Sequence, residues 1–153
     1  MRVVGTKRDT STYNETVDEI YTQNDVHTVL GASDYVVLAL PLTEQTEELI
    51  GSAEFDSMKD DAVLINIARG EIIDHQQLVL TLREGYLGGA ALDVTNPEPL
   101  PQGSPLWDME NVIVSPHMAG GSPAFPRRCA DIFVHNFEQY SNGTYDGMRN
   151  RVL

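Results

Sequence analysis

The stretch Ala62-Val63-Leu64-Ile65-Asn66-Ile67-Ala68-Arg69-Gly70 joins an apolar run to a single arginine and a glycine. A short aliphatic run with this ending is typical of a strand buried in a parallel sheet. Such strands end at the edge of the sheet where α/β proteins bind their ligands. The guanidinium of Arg69 can hold a planar carboxylate through two parallel hydrogen bonds. The stretch therefore predicts an anion site, although a surface arginine is the alternative if Arg69 is considered alone.

Four further segments have the composition of short strands, and helical patterns separate them. Strands are predicted at 1–6, 35–40, 88–94 and 111–114. Helices are predicted at 26–31, 43–49, from 52 onward, at 74–85 and at 124–140, with a weaker pattern within 9–25. Alternation of strands and helices implies a parallel sheet with right-handed crossovers. The predicted fold class is α/β.

The charge balance limits the classes of partner that the chain can have. Its 153 residues include 10 Lys+Arg and 23 Asp+Glu, which gives a formal net charge of −13. Such a surface repels nucleic acids and anionic membranes, so neither is expected as a partner. The carboxylates are dispersed rather than gathered in a tail, which favours a globular protein adapted to high salt, as in haloarchaea.

The cysteine and histidine content predicts a cytoplasmic protein without a metal site. The single cysteine, Cys129, cannot form an internal disulfide, and it lies in a predicted helix as a structural thiol. No apolar run has the length of a membrane span, and no signal-peptide pattern opens the chain. The four histidines lack metal-ligand spacing.

Four of the predicted strands end in turns that carry residues of possible functional importance. An arginine, carboxylates and a histidine at one sheet edge suggest an anionic carbonyl substrate with acid/base assistance. Taken singly, the histidine could be a core residue, and the acids a solvated loop residue and a loop cap. The set comprises Pro41 and Thr43, Arg69, Asp93 with Glu98 in the following proline-rich loop, and His117.

Three signatures within residues 35–121 coincide in order and spacing. They are Leu40-Pro41-Leu42-Thr43 with Thr46; Ile65-Asn66-Ile67-Ala68-Arg69-Gly70; and Asp93-Val94 followed by Glu98-Pro99-Leu100-Pro101 and Ser115-Pro116-His117-Met118-Ala119-Gly120. The segment resembles the cofactor-binding domain of the D-isomer-specific 2-hydroxyacid dehydrogenases, which include phosphoglycerate dehydrogenase and glyoxylate/hydroxypyruvate reductase. The resemblance implies a Rossmann-like sheet, a homodimer, and NAD(P)-dependent hydride transfer between the cofactor and a D-2-hydroxy acid or 2-oxo acid.

The resemblance also implies roles for individual residues. Arg69 matches the arginine that orients the substrate, His117 matches the general acid/base, and Glu98 matches the partner of that histidine. The implied cofactor positions are Pro41, Thr46, Ala68, Arg69, Asp93, His117 and Gly120, with Asp93 and the Ala68 backbone at the nicotinamide carboxamide.

The residues after the first strand predict a preference for NADP(H) over NAD(H). In dinucleotide folds, an acid at the tip of the corresponding strand binds the ribose hydroxyls of NAD, whereas basic residues receive the 2′-phosphate of NADP. Here the strand continues into Thr6-Lys7-Arg8 without an acid at its tip. Asp9 is the nearest carboxylate that could reverse the preference.

The resemblance covers part of the family pattern. No Gly-x-Gly-x-x-Gly turn occurs in the chain, so the main pyrophosphate donors of the fold are absent from it. We expect residues 1–123 to form a partial dinucleotide-binding domain, incomplete at its N-terminus, and 124–153 a helix that packs on a missing substrate domain. The chain would then be a fragment or a truncated gene product with little activity alone. A non-catalytic NAD(H)-binding module and an inactive remnant are the alternatives.

Overall fold

A computed structural model describes residues 1–8 and 17–151 of the chain. The chain divides into two compact units, Met1–Met118 and Ala119–Leu153. The weak helical pattern predicted within 9–25 falls partly outside the described residues. Where the structure does describe that segment, it forms a strand over Glu19–Tyr21, so the helical prediction is wrong there.

The first unit contains two parallel sheets. The strands β1 (Val4–Thr6) and β2 (Glu19–Tyr21) pair with each other. The strands β3 (Tyr35–Leu38), β4 (Val63–Asn66), β5 (Gly89–Leu92) and β6 (Val112–Val114) form the second sheet in that order. Every pairing is parallel, so the carboxyl ends of β3 to β6 lie at one edge. The predicted α/β fold is confirmed.

The described part of the first unit contains three α-helices: α1 (Val26–Ala32), α2 (Ser52–Phe55) and α3 (His75–Glu84). Each contributes apolar side chains to a single core with the second sheet, and Leu64 of β4 is fully buried in it. The core side chains of the helices are Leu30, Phe55, Leu78 and Leu82. The predicted helices at 26–31 and 74–85 are therefore confirmed, and the one from 52 onward is short.

Local side-chain chemistry defines the ends of α3. The carboxylate of Asp74 accepts hydrogen bonds from the backbone N–H groups of Gln76 and Gln77, as expected of a helix N-cap. Gly85 ends the helix in the left-handed conformation with φ of 77°, which a glycine adopts without a steric penalty.

The predicted helix at 43–49 is wrong, because the backbone turns left-handed at Glu48, with φ of 48°, and the Glu48 N–H donates to the Glu71 carbonyl at 2.8 Å instead of to a carbonyl of the same segment. The Thr46 hydroxyl accepts from the Thr43 backbone N–H at 2.7 Å and donates to the Pro41 carbonyl at 2.7 Å. These local bonds stabilise a series of turns instead of a helix. Thr46 is buried, and it fixes the chain just after β3.

The second unit consists of α4 (Phe125–Ser141) and a C-terminal segment that packs on it. Asn136 exchanges two hydrogen bonds with the backbone of Arg149, and the His135 ring contacts the Gly147 carbonyl at 2.8 Å. Phe133 and Phe137 stack with a centroid distance of 6.3 Å and are exposed. Over the ranges 1–8 and 17–151, no helix is both long and apolar enough to cross a membrane.

Candidate active site at the carboxyl ends of the strands

The turn that carries Arg69 is closed by a buried asparagine at the end of β4. Asn66 is 0% exposed, and its side-chain Nδ2 donates to the Arg69 carbonyl at 2.8 Å. Its Oδ1 accepts from the Ala68 backbone N–H at 3.0 Å. The Arg69 guanidinium donates through Nη1 to the Ala68 carbonyl at 2.6 Å. The turn therefore presents an exposed cation at the strand edge, as the sequence predicts.

A close backbone contact joins the Arg69 turn to the loop after β5. A Cβ atom built on Gly70 would lie 2.1 Å from the carbonyl carbon and oxygen of Thr95 and 2.6 Å from the Asn96 nitrogen. No side chain larger than hydrogen fits without moving that backbone. Because this loop continues to Glu98, Gly70 allows the arginine turn and the glutamate loop to pack directly on each other.

Asp93 connects the end of β5 to the loop after β6. It is 6% exposed, and its Oδ1 accepts from the Ser115 hydroxyl at 2.6 Å and from the Met118 backbone N–H at 2.8 Å. Its backbone carbonyl accepts from the His117 N–H at 2.8 Å. Three bonds from one residue therefore fix the position of the histidine loop.

The predicted histidine–glutamate pair is present. His117 Nδ1 lies 2.7 Å from Glu98 Oε1, with the side chains 45% and 41% exposed. A carboxylate on Nδ1 orients the imidazole and stabilises a positive charge on it. A proton exchanged with a bound molecule would therefore pass through Nε2. The pair has the geometry of a general acid/base held by an orienting carboxylate.

A cavity lies between the ends of β3 and β4, where the sequence predicts cofactor contacts. Its volume is about 490 Å³, and its walls include Pro41, Ala68 and Arg69 together with the apolar side chains of Leu42 and Ile67. Apolar walls with a few polar groups suit a flat heteroaromatic ring that carries an amide. The residues present therefore fit the nicotinamide end of a dinucleotide cofactor.

The structure places the other predicted residues at separate positions. Thr46 does not line the cavity but holds the Pro41 carbonyl. Thr6 is the last residue of β1, Lys7 and Arg8 follow it at the carboxyl end of the smaller sheet, and Asp9 lies outside the described residues. Gly120 belongs to the second unit.

Asn66, Gly70 and Ser115 fix the site without having been assigned a role from the sequence. The sequence did contain an indication of these roles, since each residue lies at or just after the end of a predicted strand, beside a candidate site residue. A buried asparagine at a strand end indicates a backbone that needs side-chain partners. Which backbone groups those are depends on the folded turn.

The fold and the strand-edge site are those of a dinucleotide-binding domain of an oxidoreductase, and comparison with known proteins agrees. The family model described as D-isomer specific 2-hydroxyacid dehydrogenase, NAD binding domain, matches residues 1–119. The chain therefore belongs to the D-isomer-specific 2-hydroxyacid dehydrogenase family.

Individual relatives and solved structures are similar over most of the chain. Glyoxylate/hydroxypyruvate reductase B of Enterobacter sp. (strain 638) is 40% identical over 122 residues, which are 80% of this chain and 38% of the relative. A D-isomer specific 2-hydroxyacid dehydrogenase from Xanthobacter autotrophicus Py2, solved with NADPH and MES, has a TM-score of 0.87 at 32% identity and covers 100% of this chain and 71% of that one.

An NADPH-dependent glyoxylate/hydroxypyruvate reductase from Sinorhizobium meliloti, solved with NADP and sulfate, has a TM-score of 0.83 at 33% identity. The similarity covers 93% of this chain and 45% of that one. Similarly, the chain spans about two fifths of the length of the curated relatives that it matches.

Proposed function

We propose that this domain serves the NADP(H)-dependent reduction of a small 2-oxo acid to the D-2-hydroxy acid, and the reverse oxidation. The observation that carries the proposal is the 2.7 Å contact between His117 Nδ1 and Glu98 Oε1. This pair lies at the same sheet edge as Arg69. The Gly70–Thr95 contact joins the turn that carries Arg69 to the loop that carries Glu98. An anion-binding group and an acid/base pair are what a 2-oxo acid requires.

The residues around the cavity would hold the nicotinamide. The Ala68 carbonyl lies at the cavity wall, and the Asp93 carboxylate lies outside it, directly after the neighbouring strand β5. Both are acceptors suited to the carboxamide, and Pro41 is an apolar wall of the cavity. When bound, the cofactor supplies or accepts the hydride. Arg69 and His117 are further candidate contacts, while Thr46 would act by holding Pro41 in place.

Three side chains would perform the remaining chemistry. Arg69 would bind the carboxylate of the 2-oxo acid through its planar guanidinium. His117 would give the Nε2 proton to the carbonyl oxygen as the carbonyl carbon is reduced, and would take it back during oxidation. Glu98 would hold the imidazole through Nδ1 and stabilise its charged form.

The preference for NADP(H) rests on Thr6, Lys7 and Arg8 at the end of β1. Lys7 and Arg8 are exposed, so their side chains can reach a phosphate. Relatives of this fold have been solved with NADPH or NADP, which agrees with the proposal. Turnover with NADH that exceeds turnover with NADPH by tenfold would contradict it.

The activity is tested by a steady-state assay with NADPH and glyoxylate, pyruvate or hydroxypyruvate. We expect little turnover from the 153-residue chain alone, because relatives supply more than half of their length from other sequence. We expect turnover from a fusion in which the amino-terminal part of the Enterobacter relative precedes residues 1–153. Robust turnover by the chain alone would refute the first expectation.

The acid/base role is tested in the same fusion. His117→Ala is expected to lower kcat by about a hundredfold or more, because general acid/base groups contribute factors of this size. The matched control is His27→Ala on α1, which is exposed and bonded to Ser57. Cofactor affinity should fall far less than turnover in His117→Ala. Equal losses of turnover and cofactor affinity would contradict the role.

We further propose a cytoplasmic homodimer adapted to high salt. The family resemblance supports the dimer, the single exposed Cys129 supports a reducing compartment, and the net charge of −13 supports the salt adaptation. Sedimentation equilibrium in concentrated KCl tests the dimer, and a monomer at all concentrations would exclude it.

A further inference from the structure

Asn66 is a fully buried polar side chain that makes both of its hydrogen bonds within the arginine turn. Its Oδ1 accepts from the Ala68 backbone N–H, and its Nδ2 donates to the Arg69 carbonyl. The backbone groups on either side of the Ala68–Arg69 peptide are thus fixed by one carboxamide. An aliphatic side chain at this position would leave a donor and an acceptor without these partners at the end of a buried strand.

The position of the Arg69 guanidinium depends on the same turn. Its Nη1 donates to the Ala68 carbonyl at 2.6 Å, so the cation is held by a backbone group that lies within the turn closed by Asn66. Gly70 packs the next peptide against Thr95. A substitution at Asn66 would therefore displace the guanidinium by moving the Ala68 and Arg69 backbone, although the two side chains make no direct hydrogen bond with each other.

We propose that Asn66 is the positioning residue of Arg69: its buried carboxamide sets the turn that directs the guanidinium to the anion. This inference rests on the proposed function for the role of Arg69 toward a 2-oxo acid. The hydrogen-bond geometry itself does not depend on that role, so the two can be tested separately.

Asn66→Asp separates a positioning role from mere filling of the core. The two side chains have nearly the same shape, but an ionised carboxylate can only accept hydrogen bonds, whereas a protonated one can also donate. Burial favours the protonated form of such a carboxyl, so its ionisation is followed at each pH through its infrared band. In the ionised form, the variant keeps the acceptor for the Ala68 N–H and presents a second acceptor to the Arg69 carbonyl. At low pH, the protonated group restores the donor. A positioning role therefore predicts a pH-dependent rescue.

The readout is the NMR signal of the Arg69 guanidinium in the 153-residue chain, assigned through its loss in Arg69→Lys. We expect Asn66→Asp to shift this signal away from that of the unsubstituted chain at pH 7.5 and to return it at pH 4.5. The matched control is Asn136→Asp, because Asn136 also donates to a backbone carbonyl and accepts from a backbone N–H, both of Arg149. The control should leave the Arg69 signal unchanged at both values of pH.

A second measurement covers the case in which Asn66→Asp fails to fold. In the unsubstituted chain, the Ala68 backbone N–H and the Asn66 side-chain amide should exchange with solvent at least tenfold more slowly than exposed amides. Fast exchange of both, or an Arg69 signal that is the same in the unsubstituted chain and in Asn66→Asp with its carboxyl shown to be ionised, would overturn the proposal.

A titration with glyoxylate then distinguishes this proposal from the proposed function. We expect glyoxylate to shift the Arg69 signal of the unsubstituted chain, and Asn66→Asp to need at least tenfold more glyoxylate at pH 7.5. If glyoxylate does not affect Arg69 in either chain, the substrate role of Arg69 fails, whereas the pH rescue without ligand still decides the role of Asn66.

Discussion

At the scale of single residues, the site depends on a histidine in an unusual backbone conformation. His117 has φ of 50°, in the left-handed region that residues with a Cβ seldom adopt. Its N–H donates to the Asp93 carbonyl, and the next N–H, that of Met118, donates to the Asp93 carboxylate. Such conformations persist where surrounding bonds over-determine them, and they cluster at functional sites. The sequence predicted the pairing of His117 with Glu98 but not this backbone, because the bonds that hold it come from another strand.

The partial burial of His75 leads to a prediction of how the free energy of unfolding changes with pH. Burial lowers the pKa of His75 below its ordinary value of 6.5, and the neighbouring Asp74 carboxylate opposes this only in part. The folded state therefore binds fewer protons than the unfolded state. The contribution is fully present above about pH 6.5 and is lost as pH falls toward the lowered pKa. Between pH 7.5 and 5.5, the urea midpoint should fall more for the unsubstituted chain than for His75→Gln. Parallel curves for the two chains would contradict this.

At the scale of elements, the strand ends were predicted better than the segments between them. The strand β4 and the helix α3 were predicted nearly as observed, because an aliphatic run and an Asp74 cap with a terminal Gly85 are strong local signals. The helical predictions for residues 43–49 and 19–21 were wrong. In the first, the Glu48 N–H donates to the Glu71 carbonyl of another segment, and in the second, pairing with β1 overrides a weak helical pattern. Both outcomes depend on contacts that periodicity does not report.

Gly70→Ala tests the packing of the arginine turn on the loop after β5. A Cβ at this position would lie 2.1 Å from the Thr95 carbonyl, so the two backbones must separate. We expect a loss of about 1–3 kcal/mol in the free energy of unfolding, the usual cost of overpacking. The matched control is Gly103→Ala, since a Cβ there would meet nothing within 4 Å. Similar urea midpoints for the two variants would show that the contact is not needed.

At the scale of the whole molecule, the order of strands and helices predicted the fold class correctly. It did not predict the solvent exposure of side chains on one face of the second sheet. The apolar strands suggested burial on both faces of the sheet. In the structure, the row of paired residues Val37, Ile65, Ala91 and Ile113 includes side chains that are 54% exposed at Val37 and 70% exposed at Ile113. The apolar sequence of a strand shows only that its side chains are suited to burial. Whether they are buried depends on which face of the sheet is covered by other described residues.

The acidic surface predicts a strong dependence of stability on salt. Carboxylates in excess repel one another in the folded state, and salt screens this repulsion because the screening length falls from about 10 Å at 0.1 M to about 3 Å at 1 M. We expect the melting temperature to rise between 0.1 and 2 M KCl. The double substitution Glu44→Lys with Glu47→Lys changes the formal net charge from −13 to −9 at two exposed positions and should weaken the dependence. A melting temperature that does not change with KCl concentration would exclude salt adaptation.

The central claim is that the carboxyl ends of β4, β5 and β6 form one site for a nicotinamide and a 2-oxo acid. The most direct test is a ¹⁵N NMR titration of the fusion with the amino-terminal part of the Enterobacter relative, first with NADPH and then with glyoxylate, repeated with Arg69→Ala. Shifts should concentrate at Ala68, Asp93 and His117 with NADPH, and the variant should lose the shifts caused by glyoxylate while keeping those caused by NADPH. Shifts confined to the outer face of α3 or to α4, or none at saturating ligand, would contradict the claim.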